Sequence, residues 1–198
     1  MVITMIIWIN GAFGVGKTQT VYELKNRIPN SIVYDPEKLG FFINKNIPKE
    51  MSKGDFQHHS IWRDLNYTTL KYIEDNYDGI ILVPMTIVNP QYFEEIIGRL
   101  RADGVVVHHF VLLASKETLQ KRLRSRGERK NSWAEQQIDR CIQGLANDIF
   151  ESRIETNTMS IESVAETIAS RLDIDLLDDN RSKIKKKLDK IWMRIARI

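Results

Sequence analysis

Hydrophobic and polar positions follow two different periodic patterns along the 198-residue chain. Short, uninterrupted apolar runs recur at intervals, and the segments between them carry apolar residues at helical spacing, as Val21, Leu24 and Ile28 do. The runs predict strands at residues 2–9, 31–34, 80–83, 105–113 and 154–156. Apolar strands that alternate with amphipathic helices are typical of a parallel sheet covered on both faces. We therefore predict a three-layer, doubly wound α/β fold with a five-stranded sheet.

Cap and turn residues mark the limits of the predicted helices. Pro29 ends the first helix, and the N-cap candidates of the later ones are Asn89, Ser115, Ser132 and Ser160. The helices are predicted at residues 18–28, 60–76, 90–102, 116–126, 133–150 and 161–172. Residues 40–57 are interpreted as irregular. We expect one domain over residues 1–172, followed by a linker and a C-terminal helix over residues 173–198.

Residues 11–18 read Gly-Ala-Phe-Gly-Val-Gly-Lys-Thr, a G-x-x-x-x-G-K-[ST] phosphate loop between the first strand and the first helix. Glycines let backbone N–H groups curl around a phosphate, and the helix start adds further donors. Lys17 is expected to reach the β- and γ-phosphates, and the Thr18 hydroxyl to ligate Mg²⁺. We therefore expect ATP with Mg²⁺ to be bound by Gly11, Ala12, Phe13, Gly14, Val15, Gly16, Lys17, Thr18 and Gln19.

Composition narrows the class of protein. A single cysteine, Cys141, excludes an internal disulfide framework and favours a reducing cytoplasm. Of the 29 basic and 26 acidic residues, the segment 181–198 holds eight and one, which leaves 21 and 25 in the body. A body with net negative charge argues against nucleic acid as a partner.

Two strand ends offer side chains to the acceptor of a phosphoryl group. Asp35 follows the second strand, where a carboxylate faces the γ-phosphate and can deprotonate a hydroxyl; Glu37 is the reserve candidate. The alternative for Asp35 is an Asp-Pro turn that needs no ligand. The third strand ends in Pro84-Met85-Thr86 instead of a Walker B acid, with Thr86 as a candidate to hold a metal-bound water. The missing acid argues against a water-directed ATPase.

The segment 121–130 is dense in arginine. Arg122 and Arg126 lie four residues apart on one helical face, and a guanidinium can stack on a base or bind phosphate oxygens in pairs. We predict that these two residues belong to a mobile lid, with Arg140 closing from the following helix, and that all three stabilise the transferring phosphoryl group. The alternative is a solvated basic face.

Other residues are candidates for the acceptor side. Arg63 is expected to bind an anionic or sugar portion of the substrate, and its alternative is a surface ion pair. Phe41 is expected to line an apolar acceptor pocket, together with Phe42, Phe56 and Trp62; core packing is the alternative. His108 and His109 are adjacent on a strand, so they point to opposite faces and cannot bind one metal ion together.

The last 18 residues, 181–198, combine a basic face with an apolar stripe. On a helix, the stripe falls within about 120° of arc and consists of Ile184, Leu188, Ile191, Trp192, Ile195 and Ile198. This pattern is typical of a helix that lies in the plane of a membrane surface. Docking on the body or on a second subunit, and a disordered tail, are the alternatives.

Five runs of the chain together resemble the ATP-binding tunicamycin-resistance proteins. They are residues 8–20, 34–38, 83–88, 114–124 and 130–134. This resemblance covers nearly the whole chain and implies a P-loop kinase fold of the small-molecule or nucleotide-kinase type. It implies that Arg122 and Arg126 lie on the adenine and phosphate side of a helical lid, that a carboxylate such as Asp35 serves the acceptor, and that an amphipathic C-terminal helix associates with the membrane.

The resemblance implies an ATP-dependent phosphotransferase that acts on tunicamycin or a related nucleoside antibiotic. Two alternatives stay open. One is ATP-gated binding of the drug without chemistry, and the other is a housekeeping kinase for a nucleoside, nucleotide or sugar nucleotide. The protein is expected in the cytoplasm, peripheral on the inner face of the membrane, as a monomer or homodimer.

Overall fold

The computed structural model describes residues 4–179 together with residues 181 and 182. Its strands are β1 (Met5–Gly11), β2 (Ser31–Val33), β3 (Ile80–Pro84), β4 (Val107–Leu113) and β5 (Arg153–Glu155). They form one sheet in the order β2-β3-β1-β4-β5, and every neighbouring pair is parallel. The predicted five-stranded parallel sheet is therefore confirmed.

Helices cover both faces of this sheet. They are α1 (Lys17–Arg27), α2 (Pro36–Asn46), α3 (Ser60–Asn76), α4 (Pro90–Phe93), α5 (Arg99–Ala102), α6 (Lys116–Ser125), α7 (Trp133–Gln136), α8 (Ile138–Leu145) and α9 (Ile161–Arg171). A π-helical turn, Glu94–Gly98, joins α4 to α5, and short 3₁₀ turns lie at Lys49–Met51 and Phe56–His58. The predicted caps Asn89, Ser115, Ser132 and Ser160 each accept a hydrogen bond from a backbone N–H of the helix that they begin.

The alternation along β1 divides the core into two halves. Ile7 and Ile9 belong to the half that packs against α1, α6 and α9, whereas Ile6 and Trp8 belong to the half that packs against α3 and the α4–α5 segment. All four side chains are fully buried. A strand that is apolar on both faces must be covered on both, which explains the three layers.

The interpretation of residues 40–57 as irregular is wrong for their first part. Helix α2 runs through to Asn46, because Asp35 caps it and Pro36 occupies its first turn. Asp35 Oδ1 accepts a hydrogen bond from the Glu37 N–H at 3.1 Å. The Asp-Pro pair is thus a helix start and not a free turn.

The predicted helix over residues 133–150 is shorter and divided. It breaks at Gln137 between α7 and α8, and α8 ends at Leu145. Just beyond, Asn147 Oδ1 accepts a hydrogen bond from the Ile149 N–H at 3.0 Å, and the Phe150 N–H donates to the Asn147 carbonyl at 3.1 Å. This local turn competes with helix continuation.

The chain after α9 returns to α1. The Leu177 N–H donates to the Arg27 carbonyl at 2.8 Å, and Arg27 Nε donates to the Leu177 carbonyl at 2.9 Å. Arg181 pairs with Glu23 of α1 and with Asp179. The predicted basic amphipathic helix lies outside the described residues, except for its first two positions. None of the helices described is long and apolar enough to cross a membrane.

Candidate nucleotide and acceptor site

The start of the phosphate loop is anchored to the segment that follows β3. Asn10 Oδ1 accepts hydrogen bonds from the N–H groups of Gly11 at 2.7 Å and Ile87 at 2.9 Å, and Asn10 Nδ2 donates to the Ile87 carbonyl at 2.7 Å. The Thr86 hydroxyl donates to the Gly11 carbonyl at 2.8 Å. Thr86 therefore lies beside the loop, as its position after β3 predicts.

All three glycines of the loop adopt backbone conformations that other residues avoid. Gly11 has a φ of 144°, Gly14 a φ of 90° and Gly16 a φ of 114°. A Cβ at Gly11 would lie 2.7 Å from the Leu112 carbonyl oxygen, and one at Gly16 would lie 2.9 Å from Ile161 Cδ1. The main chain therefore makes a tight cradle that ends at the first turn of α1, where the positive end of the helix dipole favours an anion.

Lys17 lies within the curve of this loop. Its Nζ donates to the Gly11 carbonyl at 2.9 Å and the Ala12 carbonyl at 3.3 Å, and it sits 5.4 Å from the centre of the Phe13 ring. The Phe13 ring contacts Trp133 of α7 edge-on, with ring centres 5.0 Å apart. Helix α7 thus touches the loop directly, and the ammonium group is positioned to exchange carbonyl partners for phosphate oxygens.

A cavity of about 310 Å³ lies beside the loop, on the side of α6 and α9. Its walls are loop residues 14–16, Gln19, Arg122 of α6, Arg126 directly after α6, and the start of α9. Arg122 Nη1 donates to the Val15 carbonyl at 3.2 Å and to Thr156 Oγ1 at 3.1 Å, and burial lowers the pKa of this guanidinium. The geometry brings predicted nucleotide-binding residues from two separate segments, the phosphate loop with the start of α1 and the end of α6, to one cavity.

The opposite side of the loop faces the segments after β2 and β3. Asp35 and Glu37 lie at the start of α2, at the carboxyl end of the sheet, and both are partly buried. Strand β3 separates β2 from β1, so this carboxylate lies across the crevice from the loop. One oxygen of Asp35 serves as the helix cap, and its role toward an acceptor stays a prediction.

Arg140 does not line the 310 Å³ cavity and lies instead near the segment between α2 and α3. Its Nη2 is 3.6 Å from Asp55 Oδ2, while Asp55 Oδ1 accepts a hydrogen bond from the Gln57 N–H at 3.0 Å. Burial raises the pKa of the Cys141 thiol; the charges of Lys17 and Arg140 lower it and that of Asp55 raises it. All three charged groups therefore lie within electrostatic reach of one buried atom beside the phosphate loop.

Asp55 is a candidate residue that the sequence interpretation missed. It belongs to the segment interpreted as irregular, and it contacts Arg140 only because α8 folds back toward that segment. The one local signal was the Gly54-Asp55 pair, which resembles the start of a helical turn. Asp55 does cap the 3₁₀ turn Phe56–His58.

Arg63 is tied into a buried network. It pairs with Glu95, Nη1 donates to the Gln57 carbonyl at 2.6 Å, and the guanidinium stacks on the Tyr92 ring at 4.3 Å. This ion pair lowers the pKa of Glu95. The ion-pair alternative for Arg63 is thus present, with the guanidinium buried and the Glu95 carboxylate partly exposed.

The predicted apolar acceptor residues separate into two groups. Trp62 is fully buried, and its Nε1 donates to the Pro36 carbonyl at 3.0 Å, so it belongs to the core. Phe41 is 51% exposed and Phe42 is 61% exposed. Phe56 connects the groups, with ring centres 6.0 Å from Phe41 and 5.3 Å from Trp62. Core packing therefore accounts for Trp62, and only the two exposed rings are available to a ligand.

A phosphate loop after β1, a β2-β3-β1-β4-β5 parallel sheet and arginines on a helical lid define a P-loop protein of the kinase type. A family model described as an AAA domain matches residues 6–147. The structure of the tunicamycin resistance protein of Deinococcus radiodurans is 32% identical in sequence, with a TM-score of 0.77, and the match covers 89% of this chain and 99% of that chain. The chain therefore belongs to the AAA-domain family and, among the P-loop kinases, to the ATP-binding tunicamycin-resistance proteins.

More distant structures share the fold. The APS kinase of Mycobacterium tuberculosis, in complex with AMPPNP and APS, is 14% identical, with a TM-score of 0.59 and coverage of 86% of this chain and 98% of that one. A gluconokinase of Sinorhizobium meliloti is 13% identical, with a TM-score of 0.58 and coverage of 86% and 94%. Among curated proteins, none shows significant sequence similarity to the chain.

Proposed function

We propose that the protein is an ATP-dependent phosphotransferase that transfers the γ-phosphoryl group of ATP to a hydroxyl of tunicamycin or a related nucleoside antibiotic. The observation that carries the proposal is the arrangement around Lys17. The arginine-lined cavity lies on one side of the phosphate loop, and the carboxylate of Asp35 lies across the crevice on the other. The 32% identity with a tunicamycin resistance protein supports the choice of acceptor.

The nucleotide side binds and orients ATP. Backbone N–H groups of residues 11–18 surround the phosphates, and Lys17 pairs with the β- and γ-phosphate oxygens. Arg122 and Arg126 hold the base and the phosphates from the cavity wall. Because phosphoryl transfer spreads negative charge over three equatorial oxygens, these fixed cations stabilise the transition state more than the ground state.

The acceptor side supplies the nucleophile. Asp35 accepts the proton of the acceptor hydroxyl while that oxygen forms a bond to the γ-phosphorus. The bond from the γ-phosphorus to the β,γ-bridging oxygen breaks, and ADP leaves with that oxygen. Arg140 stabilises the charge from this side, in the position where it now pairs with Asp55.

The residues present fit a magnesium ion held mainly by the nucleotide. The Thr18 hydroxyl lies in the first turn of α1, and Thr86 is next to the loop, bonded to Gly11. Mg²⁺ commonly keeps several waters and binds through few protein ligands plus substrate phosphates. When bound, it neutralises charge on the β- and γ-phosphate oxygens.

A mass measurement of the drug tests this proposal. The protein is incubated with ATP, Mg²⁺ and tunicamycin, and we expect a phosphorylated drug together with ADP in equal amounts. The Asp35→Asn variant, in which the helix cap is retained, is expected to bind the drug without forming the adduct. Tight drug binding by the native protein with no adduct would contradict phosphotransfer and support ATP-gated sequestration instead.

We also propose that residues 181–198 attach the protein to anionic membrane surfaces, where an amphiphilic drug concentrates. Each Lys or Arg near such a surface adds about 1 kcal/mol of attraction. Removal of residues 183–198 is expected to abolish binding to vesicles of anionic lipid while ATP binding stays unchanged. Persistent vesicle binding by the shortened chain would disprove the assignment. The cytoplasmic location and the monomeric or homodimeric state stay predictions.

A further inference from the structure

Helix α2 has an exposed face that combines aromatic and basic side chains. Lys38, Phe41, Phe42 and Lys45 fall within about 100° of arc on this helix, and all four are exposed. We name these four residues the α2 face. The opposite side of the helix carries Ile43, which is buried in the core. Because that side is fixed, the α2 face is held toward solvent.

The charge around the α2 face is opposite in sign to that of the rest of the body. Residues 37–53 contain four lysines, all of them exposed, and two glutamates. Of the 21 basic and 25 acidic residues in residues 1–180, this leaves 17 and 23 elsewhere. A positive surface with exposed aromatic rings, on a body of net negative charge, favours a partner that is both anionic and apolar. An anionic membrane surface has that chemistry.

The exposure of the aromatic rings favours a surface contact over an enclosed pocket. Ligand pockets are concave and cover most of the ligand. Phe41 and Phe42 are each more than half exposed on the outer side of a single helix. Met51, in the 3₁₀ turn that follows α2, is a third exposed apolar side chain of this segment, at 56%. Such side chains can enter the outer part of a bilayer without any rearrangement of the helix.

The α2 face begins next to the acceptor side of the crevice. Asp35, the proposed base, caps α2, and the Lys38 N–H donates to the Asp35 carbonyl at 3.2 Å. The first residue of the α2 face is therefore within one helical turn of the carboxylate. A membrane against this face would hold an amphiphilic acceptor close to Asp35.

We propose that the α2 face is a membrane-contact surface. Phe41 and Phe42 enter the boundary between headgroups and acyl chains of an anionic bilayer, while Lys38 and Lys45 pair with lipid phosphates. The α2 face alone is too small for stable attachment, which commonly takes two signals. The proposal therefore rests on the proposed attachment through residues 181–198, but not on phosphotransfer. The tail raises the effective concentration of α2 at the bilayer, and α2 turns the crevice toward it.

A fluorescent probe at position 42 tests this contact in the full-length chain. Cys141 is fully buried, so Phe42→Cys offers one exposed thiol for a polarity-sensitive dye. With vesicles of equal parts phosphatidylglycerol and phosphatidylcholine, we expect the dye emission to shift to shorter wavelength. Tyr72→Cys is the control, because Tyr72 is 69% exposed on α3 and its exposed neighbours one turn away, Thr68 and Asp75, are not basic.

The labelled proteins separate the α2 face from the tail. A protein that binds vesicles without a shift of the dye at position 42 would overturn the proposal and leave the tail assignment intact. An equal shift at positions 42 and 72 would also overturn it. Binding that persists without residues 183–198 would disprove the tail assignment and, with it, the cooperation proposed here. Phosphorylation of the drug is measured separately by mass, so it can fail or succeed independently.

Variants of the α2 face measure its contribution to binding. Phe41→Ser combined with Phe42→Ser is expected to weaken vesicle binding about tenfold to 100-fold, because two half-exposed rings lose their burial. Tyr72→Ser is the control and should bind as the native chain does. Lys38→Gln combined with Lys45→Gln keeps both rings and is expected to weaken binding about tenfold, with a smaller difference at high salt.

Other occupants of the α2 face would give different results. Unchanged vesicle affinity in both double variants, or no vesicle binding by the native chain, would overturn the proposal. Weaker drug binding by the double serine variant in the absence of vesicles would assign the rings to an acceptor pocket instead. Loss of a dimer in that variant, measured by sedimentation, would assign the face to a second copy of the chain.

Discussion

The two sides of Lys17 are built in different ways. The nucleotide side depends on the main chain: positive φ angles at Gly11 and Gly16, a helix start, and carbonyls that hold Lys17 and Arg122. The acceptor side depends on side chains that hold one another, as Arg140 does with Asp55. A phosphate site made of main-chain N–H groups depends little on which side chains surround it. A site made of paired side chains changes when those residues are substituted. We infer that triphosphate binding is the robust property and that acceptor choice is the adjustable one.

The sharpest test of this contrast removes chemistry from the acceptor side without changing its structure. Asp35→Asn keeps the cap of α2, because asparagine and aspartate cap helices equally well. We expect kcat to fall about 10²- to 10⁴-fold, the usual contribution of a general base, with unchanged affinity for ATP. Steady-state ADP release gives kcat, and calorimetry gives the affinity.

Glu37→Gln is the matched control for this prediction. It changes a second carboxylate in the first turn of the same helix. We expect little change in kcat. If Glu37→Gln lowers kcat and Asp35→Asn does not, the reserve candidate is the base and the assignment of Asp35 is wrong.

The next largest effect is expected on the nucleotide side. Lys17→Ala removes the ammonium group from inside the phosphate loop. We expect ATP affinity to fall about tenfold to 100-fold, because a charge-assisted contact to phosphate is lost. Calorimetry with a non-hydrolysable ATP analogue measures this, and Lys25→Ala, on the exposed face of the same helix, is the control. Equal affinities for the two variants would contradict the phosphate-loop assignment.

A smaller effect is expected where α6 contacts the phosphate loop. Arg122→Ala removes the bridge from α6 to the Val15 carbonyl and to Thr156. We expect a loss of ATP affinity of about tenfold and a loss of about 1–3 kcal/mol in the free energy of unfolding, because the Val15 carbonyl and the Thr156 hydroxyl lose a donor. Denaturant unfolding monitors the stability.

Arg124→Ala provides the comparison on the same helix. Arg124 is exposed and pairs with Glu135 at 3.2 Å; the Glu135 carboxylate is largely buried and also accepts a hydrogen bond from the Asn131 N–H. Affinity and stability should change little, since the Arg124 end of the pair is exposed and the carboxylate keeps its backbone donor. An equal loss in both variants would show that the general charge of the lid, and not the Arg122 bridge, supports the nucleotide.

The smallest effect is expected at the Arg140–Asp55 pair. A double-mutant cycle with Arg140→Gln and Asp55→Asn should give a coupling free energy of about 0.2–1 kcal/mol, the usual range for a partly exposed ion pair. That range corresponds to at most about a fivefold change, and we expect it in kcat/KM for the acceptor while KM for ATP stays constant. A change confined to KM for ATP would place the pair on the nucleotide side.

The features that could be predicted from the sequence are those with local causes. The apolar runs that became β1 and β4, the caps Ser115 and Ser160, and the phosphate loop all depend on residues within a few positions of one another. The same local reasoning failed for α2, because an Asp-Pro pair begins a helix as readily as it makes a turn. It also failed for the predicted helix over residues 133–150, because Asn147 forms a local turn after α8.

Local pattern alone determined that this chain has a parallel α/β sheet with a phosphate loop at its first strand, because strand burial and glycine conformation depend on neighbouring residues. Only the tertiary structure decided which distant side chains meet. It placed Asp55 near Arg140, paired Arg63 with Glu95, and buried His109 Nδ1 without a hydrogen-bond partner among the described residues. Such contacts join residues tens of positions apart, and their geometry follows from how helices and strands pack together.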